Sequence, residues 1–340
     1  MKNERKWYLG LDVSKLWFDI SVLLVSDQQK QPMLTERFCN TTSGLAQMDE
    51  WLNELQVPKN EHSLLVMENT GVYHRLIWEY CSVNKLPLHI GNAAQIKWSL
   101  GIVRGKSDTT DSQRLCMYCY KHAEDLKATD ALDPVFLKLK DLITARSRLL
   151  SQLNSMKVYL NELKLSNDKQ VQKMMETAHQ AAMKGLRKSI QEIEGNIHRV
   201  IREHRSIQNN YNLLISIPGI GHLTAVYLLC YTNNFAGKMT GKQLASYAGV
   251  VPFSNTSGTS IKGRNKVHKM ANKDLKKLLH LCAMTAVKNY PEFKNYYDRK
   301  KAEGKHSMTI LNAIRNKLAL RAVAVIKNQR NYVNNYEKAA

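Results

Sequence analysis

Four acidic residues are spaced along the first third of the chain in a pattern that could bind metal ions: Asp12, Glu68, Asp108 and Asp111. Asp12 lies inside the apolar run GLDVS, where a charged side chain is costly unless it is paired or bound to a metal. Glu68 ends the apolar run LLVME, and strand ends are where α/β folds expose functional groups. Asp108 and Asp111, in KSDTTDSQR, would share one helix face with Cβ atoms about 5–6 Å apart. Such hard oxygen donors fit a site for Mg²⁺, with two ions flanking a scissile phosphate.

Each of these carboxylates also has a purely structural interpretation. Asp12 could form a turn at a strand end, Glu68 could be a carboxylate at a helix N-terminus, and Asp108 could cap a helix with Asp111 in its first turn. Asp19, by contrast, is predicted to be a strand residue that faces solvent.

A second candidate region is the stretch GVVPFSNTSGTSIKGRNKVHK, residues 249–269, which contains no carboxylate. Its hydroxyls could belong to a surface loop that binds phosphate, or one of them could be a nucleophile. Ser257 is favoured because Gly258 permits a tight backbone that exposes a hydroxyl, although Ser254 and Ser260 lie three residues to either side. Nearby cations are candidates for contacts with backbone phosphates, or are simply solvated. These cations are Lys262, Arg264, Lys266 and Lys269, with Lys106 beside the carboxylates.

The elements that must position the carboxylates follow an alternating α/β pattern. Residues 7–25 contain two β-rich runs and LTERFCN a third, which predicts an antiparallel meander. A helix, the buried strand SLLVMEN, a further helix, the strand LPLHIG and a helix from Ala93 follow. A mixed sheet of this kind favours a ribonuclease-H-like architecture.

The rest of the chain is predicted to be mainly helical. Leucines from Leu137 to Leu163 recur at helical or heptad spacing, and a second helical segment runs from about Val171 to Ile207, which predicts a long helical hairpin or coiled coil. A plain helical bundle is the alternative. The turn PGIG resembles a helix-hairpin-helix element, in which Gly219 and Gly221 would bring backbone N–H groups close to a DNA phosphate. A packing turn between two helices is also possible.

The predicted fold class is therefore α/β plus α, in three domains: residues 1–128, 129–208 and 209–340. The last helix is expected from about Ser307 to Asn328, after a basic helix that begins near Asn272.

The composition indicates a partner that is a polyanion. Fifty Lys and Arg residues against 29 Asp and Glu give a net charge of +21, and nucleic acid is the first candidate. No apolar run is long enough to span a membrane and the N-terminus lacks the apolar stretch of a signal peptide, so a cytoplasmic, nucleoid-associated protein is expected. The pair in CMYC, Cys116 and Cys119, lacks further ligands at zinc spacing and is interpreted as ordinary buried helix cysteines.

Five motifs together resemble the DEDD transposases of the insertion-sequence-110 family, relatives of the Piv-type site-specific DNA invertases. They are YLGLDVSK, VMENTGVYH, GKSDTTDSQR, SIPGIG and GVVPFSNTSGTSIKGR, in this order across nearly the whole chain. Ser107 and Ser112 stand where the family usually has Thr and Ala, which leaves the acidic positions intact.

The resemblance implies a RuvC-like catalytic domain with Asp12, Glu68, Asp108 and Asp111 as the metal ligands, a coiled coil, and a C-terminal transposase domain. It implies Ser257 as the nucleophile and a bridge RNA, encoded by the element, that pairs with donor and target DNA. A homo-oligomer, dimer or tetramer, is expected because joining two duplexes needs at least two active sites.

We expect a covalent phosphoserine–DNA intermediate whose bond energy is conserved during strand exchange, which fits the absence of a GxxxxGK[ST] motif from the chain. Two other functions remain open. One is a RuvC-like or ribonuclease-H-like Mg²⁺-dependent nuclease that uses water, and the other is a nucleic-acid-binding architectural protein without enzymatic activity.

Overall fold

A computed structural model describes residues 6–99, 101, 108–130, 133–165, 168–237, 239–257, 261–267 and 270–333. The chain divides into two compact units, Met1–Asp133 and Pro134–Ala340. Within the described ranges, no helix is both long and apolar enough to cross a bilayer. The three-domain division expected from the sequence stays a prediction.

The first unit contains a six-stranded mixed sheet. Its strands are β1 (Lys6–Val13), β2 (Trp17–Ser26), β3 (Gln29–Lys30), β4 (Leu34–Cys39), β5 (Ser63–Glu68) and β6 (Leu88–Gly91). Its helices are α1 (Thr42–Glu54), α2 (Arg75–Val83), α3 (Ala93–Ser99) and α4 (Asp108–His122).

The strand order of the sheet is β3-β2-β1-β5-β6, with β4 paired to β2. Strands β1, β2 and β4 are antiparallel neighbours, whereas β5 and β6 continue the sheet in parallel with β1. The predicted meander and the mixed sheet are therefore confirmed.

Both faces of this sheet are covered, because side chains alternate along each strand. Leu9, Leu11 and Val13 of β1 belong to the apolar core that contains buried residues of α1 and α2. Tyr8 and Val66 point to the opposite face, where they pack with buried residues of α4. Because β1 is a central strand that is buried on both faces, its sequence is an almost continuous apolar run.

The cysteines of α4 are part of this packing. The Cys116 thiol donates to the Tyr8 carbonyl at 3.1 Å, and the Cys119 thiol to the Leu64 carbonyl at 3.2 Å. Burial raises the pKa of Cys116 to about 12, so its thiol stays protonated at neutral pH. The interpretation of both residues as buried helix cysteines is confirmed.

The second unit is mainly helical and has one apolar core. Its helices are α5 (Pro134–Leu163), α6 (Lys169–Glu203), α7 (Arg205–Ile215), α8 (His222–Tyr231), α9 (Gly241–Tyr247), α10 (Lys273–Asn289), α11 (Pro291–Ala302) and α12 (Ser307–Asn328). Its strands are β7 (Pro252–Ser257) and β8 (Ile261–Val267).

Helices α5 and α6 pack side by side, and Arg146 donates to Glu194 at 2.7 Å between them. The predicted second helical segment was wrong at its C-terminal end. His204 leaves the helical conformation, with φ −120° and ψ 99°, so α6 ends at Glu203 and α7 begins at Arg205. The apolar spacing continues through this bend because both helices contribute to the same core, and the spacing alone therefore could not reveal it.

Candidate active site

Asp12 and Glu68 lie at the ends of neighbouring parallel strands. In the register of β1 and β5, Leu11 pairs with Met67, so the two acidic residues occupy the next position on each strand. Both side chains are half-buried. Because parallel strands place their carboxyl ends at one edge of the sheet, the two carboxylates share an edge and a face.

Helix α4 crosses that same face. It approaches the sheet closely at Gly10, where an added Cβ would lie 2.4 Å from the Ser112 carbonyl oxygen. Tyr8, two residues earlier on β1, packs against Tyr120, which lies about two turns further along α4, with ring centroids 5.3 Å apart. The helix therefore runs antiparallel to β1, and its first turn lies toward the end of the strand that carries Asp12.

Asp108 and Asp111 belong to this first turn of α4. Asp111 is half-buried, and Arg114 donates to its Oδ1 at 2.6 Å. The structure describes the backbone of Asp108 but not its side chain. The fold thus gathers the four predicted carboxylate positions at one end of one sheet face.

Asp19 is a fifth acidic residue on this face, and its predicted exposure to solvent was wrong. It lies directly opposite Asp12 across the antiparallel pair β1–β2 and is only 3% exposed. Arg37 on β4 binds it through Nε, at 3.1 and 3.2 Å, and Nη2, at 2.9 Å. Sequence spacing did not reveal this pair, because the register that brings β2 and β4 together is a tertiary feature.

Oxygen donors at one edge suit a hard divalent cation such as Mg²⁺. Among the described side chains, which do not include that of Asp108, no three metal-ligating groups converge closely enough to hold an ion. The fit to Mg²⁺ lies in the oxygen chemistry of the donors at this edge.

The stretch with the candidate serines forms a strand pair in the second unit, whereas the sequence predicted a loop. Strands β7 and β8 are antiparallel, and Ser257, the last residue of β7, pairs with Ile261. A register shift separates the pairing of Phe253 from that of Asn255, so the hairpin is irregular. We name residues Pro252–Val267 the serine hairpin.

The structure describes the predicted site residues in and around the serine hairpin, and Lys106, only in part. Ser257 is placed by its backbone alone, as are Lys262, Arg264 and Lys266 on β8. Residues 258–260, Lys269 and Lys106 lie outside the described residues. The roles predicted for all of them stay predictions.

The PGIG turn joins α7 to α8, and its two glycines differ. Gly219 has φ +89°, and an added Cβ would lie 2.8 Å from the Cys282 carbonyl oxygen of α10. Packing against α10 is therefore sufficient reason for a glycine at this position. Gly221 is exposed, has no atom within 4 Å of an added Cβ, and precedes the first turn of α8. Contact of either residue with a DNA phosphate stays a prediction.

Two protein-family models match the chain. A model of the DEDD transposases, described as "Transposase", matches residues 9–164, which include all four candidate carboxylates. A model described as "Transposase IS116/IS110/IS902 family" matches residues 211–298, which include the serine hairpin.

Curated relatives agree with these matches. The pilin gene-inverting protein of Moraxella bovis is 27% identical over 333 residues, which cover 96% of this chain and 97% of that protein. The pilin gene-inverting protein of Moraxella lacunata matches with the same identity and coverage. An uncharacterized 43.6 kDa protein of the insertion element IS110 from Streptomyces coelicolor is 36% identical over 109 residues, 32% of this chain and 27% of that protein.

Proposed function

The chain belongs to the IS116/IS110/IS902 family of transposases and is a DNA recombinase, and from this premise we propose that it cuts and rejoins the donor and target DNA of an insertion sequence. The observation that carries the proposal is the shared edge of Asp12 and Glu68, with the first turn of α4 on the same face. A carboxylate edge of this kind in a mixed sheet supports a RuvC-like catalytic domain.

In this proposal Asp12, Glu68, Asp108 and Asp111 hold Mg²⁺, with two ions at the complete site. Bound there, Mg²⁺ would polarise the scissile phosphate and stabilise the departing oxygen. The carboxylates would position the ions on the face of the sheet where the phosphate is proposed to bind. Arg114, which neutralises Asp111 in the structure, is available to release that carboxylate when a cation of higher charge takes its place.

Ser257 is the proposed nucleophile. Its Oγ attacks a DNA phosphate and forms a phosphoserine ester, while the 3′-oxygen of the cut strand leaves and takes up a proton. A 3′-hydroxyl from another strand then attacks the same phosphorus and displaces the serine oxygen, which regains a proton. One phosphodiester bond is broken and one is made, so no ATP is consumed.

A noncoding bridge RNA is the proposed guide that selects both DNA partners by base pairing. The net charge of +21 supports contact with more than one nucleic acid strand. Base pairing would supply sequence specificity while the cations of the protein supply affinity, as in other RNA-guided enzymes. A homo-oligomer would provide the two active sites that exchange between two duplexes requires.

The test is denaturing electrophoresis of the full chain after incubation with end-labelled DNA, guide RNA and Mg²⁺. The wild type is expected to form a protein–DNA adduct that survives denaturation, because the phosphoserine bond is covalent. Ser257→Ala is expected to abolish the adduct and cleavage together.

Ser254→Ala and Ser260→Ala are the matched controls, since each removes a hydroxyl three residues from Ser257. Both should retain the adduct. Cleavage by Ser257→Ala without an adduct would instead identify a nuclease that uses water, and loss of the adduct only in one of the two controls would move the nucleophile to that serine.

A further inference from the structure

Arg315 of α12 is a largely buried cation whose Nε has no hydrogen-bond acceptor. Its side chain lies in the core of the second unit at 6% exposure, and its Nε has no partner in the structure. A buried donor that lacks an acceptor is costly, and a buried guanidinium is normally paired with a carboxylate or hydrogen-bonded to water or a ligand. No carboxylate within the described residues forms an ion pair with Arg315, which makes an anionic ligand a candidate partner.

A histidine of the neighbouring helix α10 lies near Arg315. His280 of α10 lies close enough that its pKa is lowered by burial and then by the charge of Arg315. The Nδ1 atom of His280 is also buried and without a partner. Two packed helices, α10 and α12, thus each carry a buried nitrogen atom without a partner, and we name Arg315 and His280 the α10–α12 site.

The α10–α12 site lies at the base of the serine hairpin. Asn312, on the same face of α12 as Arg315, donates through Nδ2 to the Val250 carbonyl oxygen at 2.8 Å, two residues before β7 begins. Lys276, one turn before His280 on α10, extends its side chain toward Gly249. The segment that leads into the hairpin is therefore held directly against both helices.

We propose that Arg315 and His280 bind a phosphate of the DNA backbone and so hold the duplex at the base of the serine hairpin. The guanidinium presents five donors in a planar fork that matches two phosphate oxygens. A phosphate diester would supply the missing acceptor and the missing negative charge at once. The inference rests on the activity of the chain on DNA and is independent of which hydroxyl attacks.

The variant that tests the proposal is Arg315→Met, which removes the charge and keeps most of the side-chain volume. Binding of the full chain to a mixed-sequence DNA duplex is measured by fluorescence anisotropy over a series of salt concentrations. Affinity is expected to fall about tenfold, because one charge-assisted contact is lost. The slope of log K against log salt concentration should become shallower by about 1, since one fewer phosphate is neutralised.

Stability without DNA separates binding from a structural role. Removing an unpaired buried charge should leave the melting temperature of the free protein unchanged or raise it. Arg321 on the same helix is the matched control, because it is paired with Glu292. Arg321→Met should lower the melting temperature by leaving that carboxylate unpaired, and should keep the salt slope.

Arg315→Lys completes the design, since it retains the charge but not the fork. It should keep the wild-type salt slope with an affinity between those of the wild type and Arg315→Met. An unchanged salt slope in Arg315→Met overturns the proposal, and so does failure of that variant to fold, which would mean that the cation stabilises the free protein. Loss of affinity for a single-stranded RNA of matched length but not for duplex DNA overturns it in favour of RNA.

Discussion

Asp19 and Arg315 are both nearly excluded from water, yet only Asp19 has a partner of opposite charge in the described part of the chain. Asp12 and Asp19 face each other across strands β1 and β2, and Arg37 forms an ion pair with Asp19. One of these two carboxylates is therefore neutralised by an arginine of the protein. Asp12 is the member of that pair that we propose as a metal ligand. A buried charge that is satisfied internally, as Asp19 is, indicates structure, whereas the unpartnered Nε of Arg315 supports a ligand.

We expect Asp12→Asn and Asp19→Asn to affect DNA cleavage differently, because only Asp12 is a proposed metal ligand. Asp12→Asn should reduce Mg²⁺-dependent DNA cleavage by about 10²–10³-fold, because a charged ligand of the proposed metal site is lost. Asp19→Asn should lower the free energy of unfolding by about 1–2 kcal/mol, since it weakens a charge-assisted pair whose arginine is partly in water.

Urea denaturation and cleavage of end-labelled DNA, measured on both variants, check this pair of expectations. Equal loss of cleavage in the two variants would mean that Asp19 also serves the reaction. Full activity of Asp12→Asn would remove Asp12 from the site.

At the scale of elements, the contact of α4 with β1 determines where Asp111 lies relative to Asp12. The contact requires glycine at position 10. A Cβ at Gly10 would lie 2.0 and 2.4 Å from backbone atoms of α4. Backbone atoms of a helix cannot move aside singly, so any larger residue must displace the helix as a whole.

Gly10→Ala is therefore expected to lower the free energy of unfolding by about 1–3 kcal/mol. It should also reduce cleavage, because the first turn of α4 moves away from the strand end. The control is Gly185→Ala on α6, where nothing lies within 4 Å of the added Cβ and the residue is exposed. That change should stabilise the protein by about 0.5–1 kcal/mol and leave cleavage unchanged. A neutral Gly10→Ala would show that α4 is not constrained by this contact.

Some of these elements could be predicted from the sequence, and others could not. Strands β1, β2, β4, β5 and β6 and the termini of α12 follow from local alternation and helical spacing, and the structure confirms them, whereas the two-residue strand β3 was not predicted. The serine hairpin was expected to be a loop because its hydroxyls, glycines and cations are typical of a phosphate-binding loop, whereas its strand pairing arises between two segments. Gly10 did carry a signal, since a glycine inside an apolar strand is typical of close backbone approach. Asp19 and Arg315 carried none, because their partners, or the lack of them, depend on register and helix packing.

At the scale of the whole molecule, the excess of cations predicts how DNA is held. Phosphate contacts release condensed counterions, so affinity falls with salt in proportion to their number. The candidate contacts are Lys106, Lys262, Arg264, Lys266, Lys269 and Arg315. Six contacts correspond to a slope of log K against log salt concentration of about −5, and to a loss of affinity of roughly 10³-fold between about 50 and 200 mM salt.

Two variants with the same net charge distinguish the effect of the protein's net charge on DNA binding from the effect of phosphate contacts at the serine hairpin. Replacing Lys262, Arg264, Lys266 and Lys269 with Gln should make the slope shallower by about 4, because four phosphate contacts near the proposed nucleophile are lost. Replacing four exposed cations of α6 with Gln removes the same charge from a surface with no assigned role in binding the cut duplex, and should leave the slope close to that of the wild type. These four are Lys173, Lys184, Arg187 and Lys188. Anisotropy titrations with one duplex at several salt concentrations measure both slopes. Equal changes in the two variants would mean that the field of the whole chain, rather than the serine hairpin, holds the DNA.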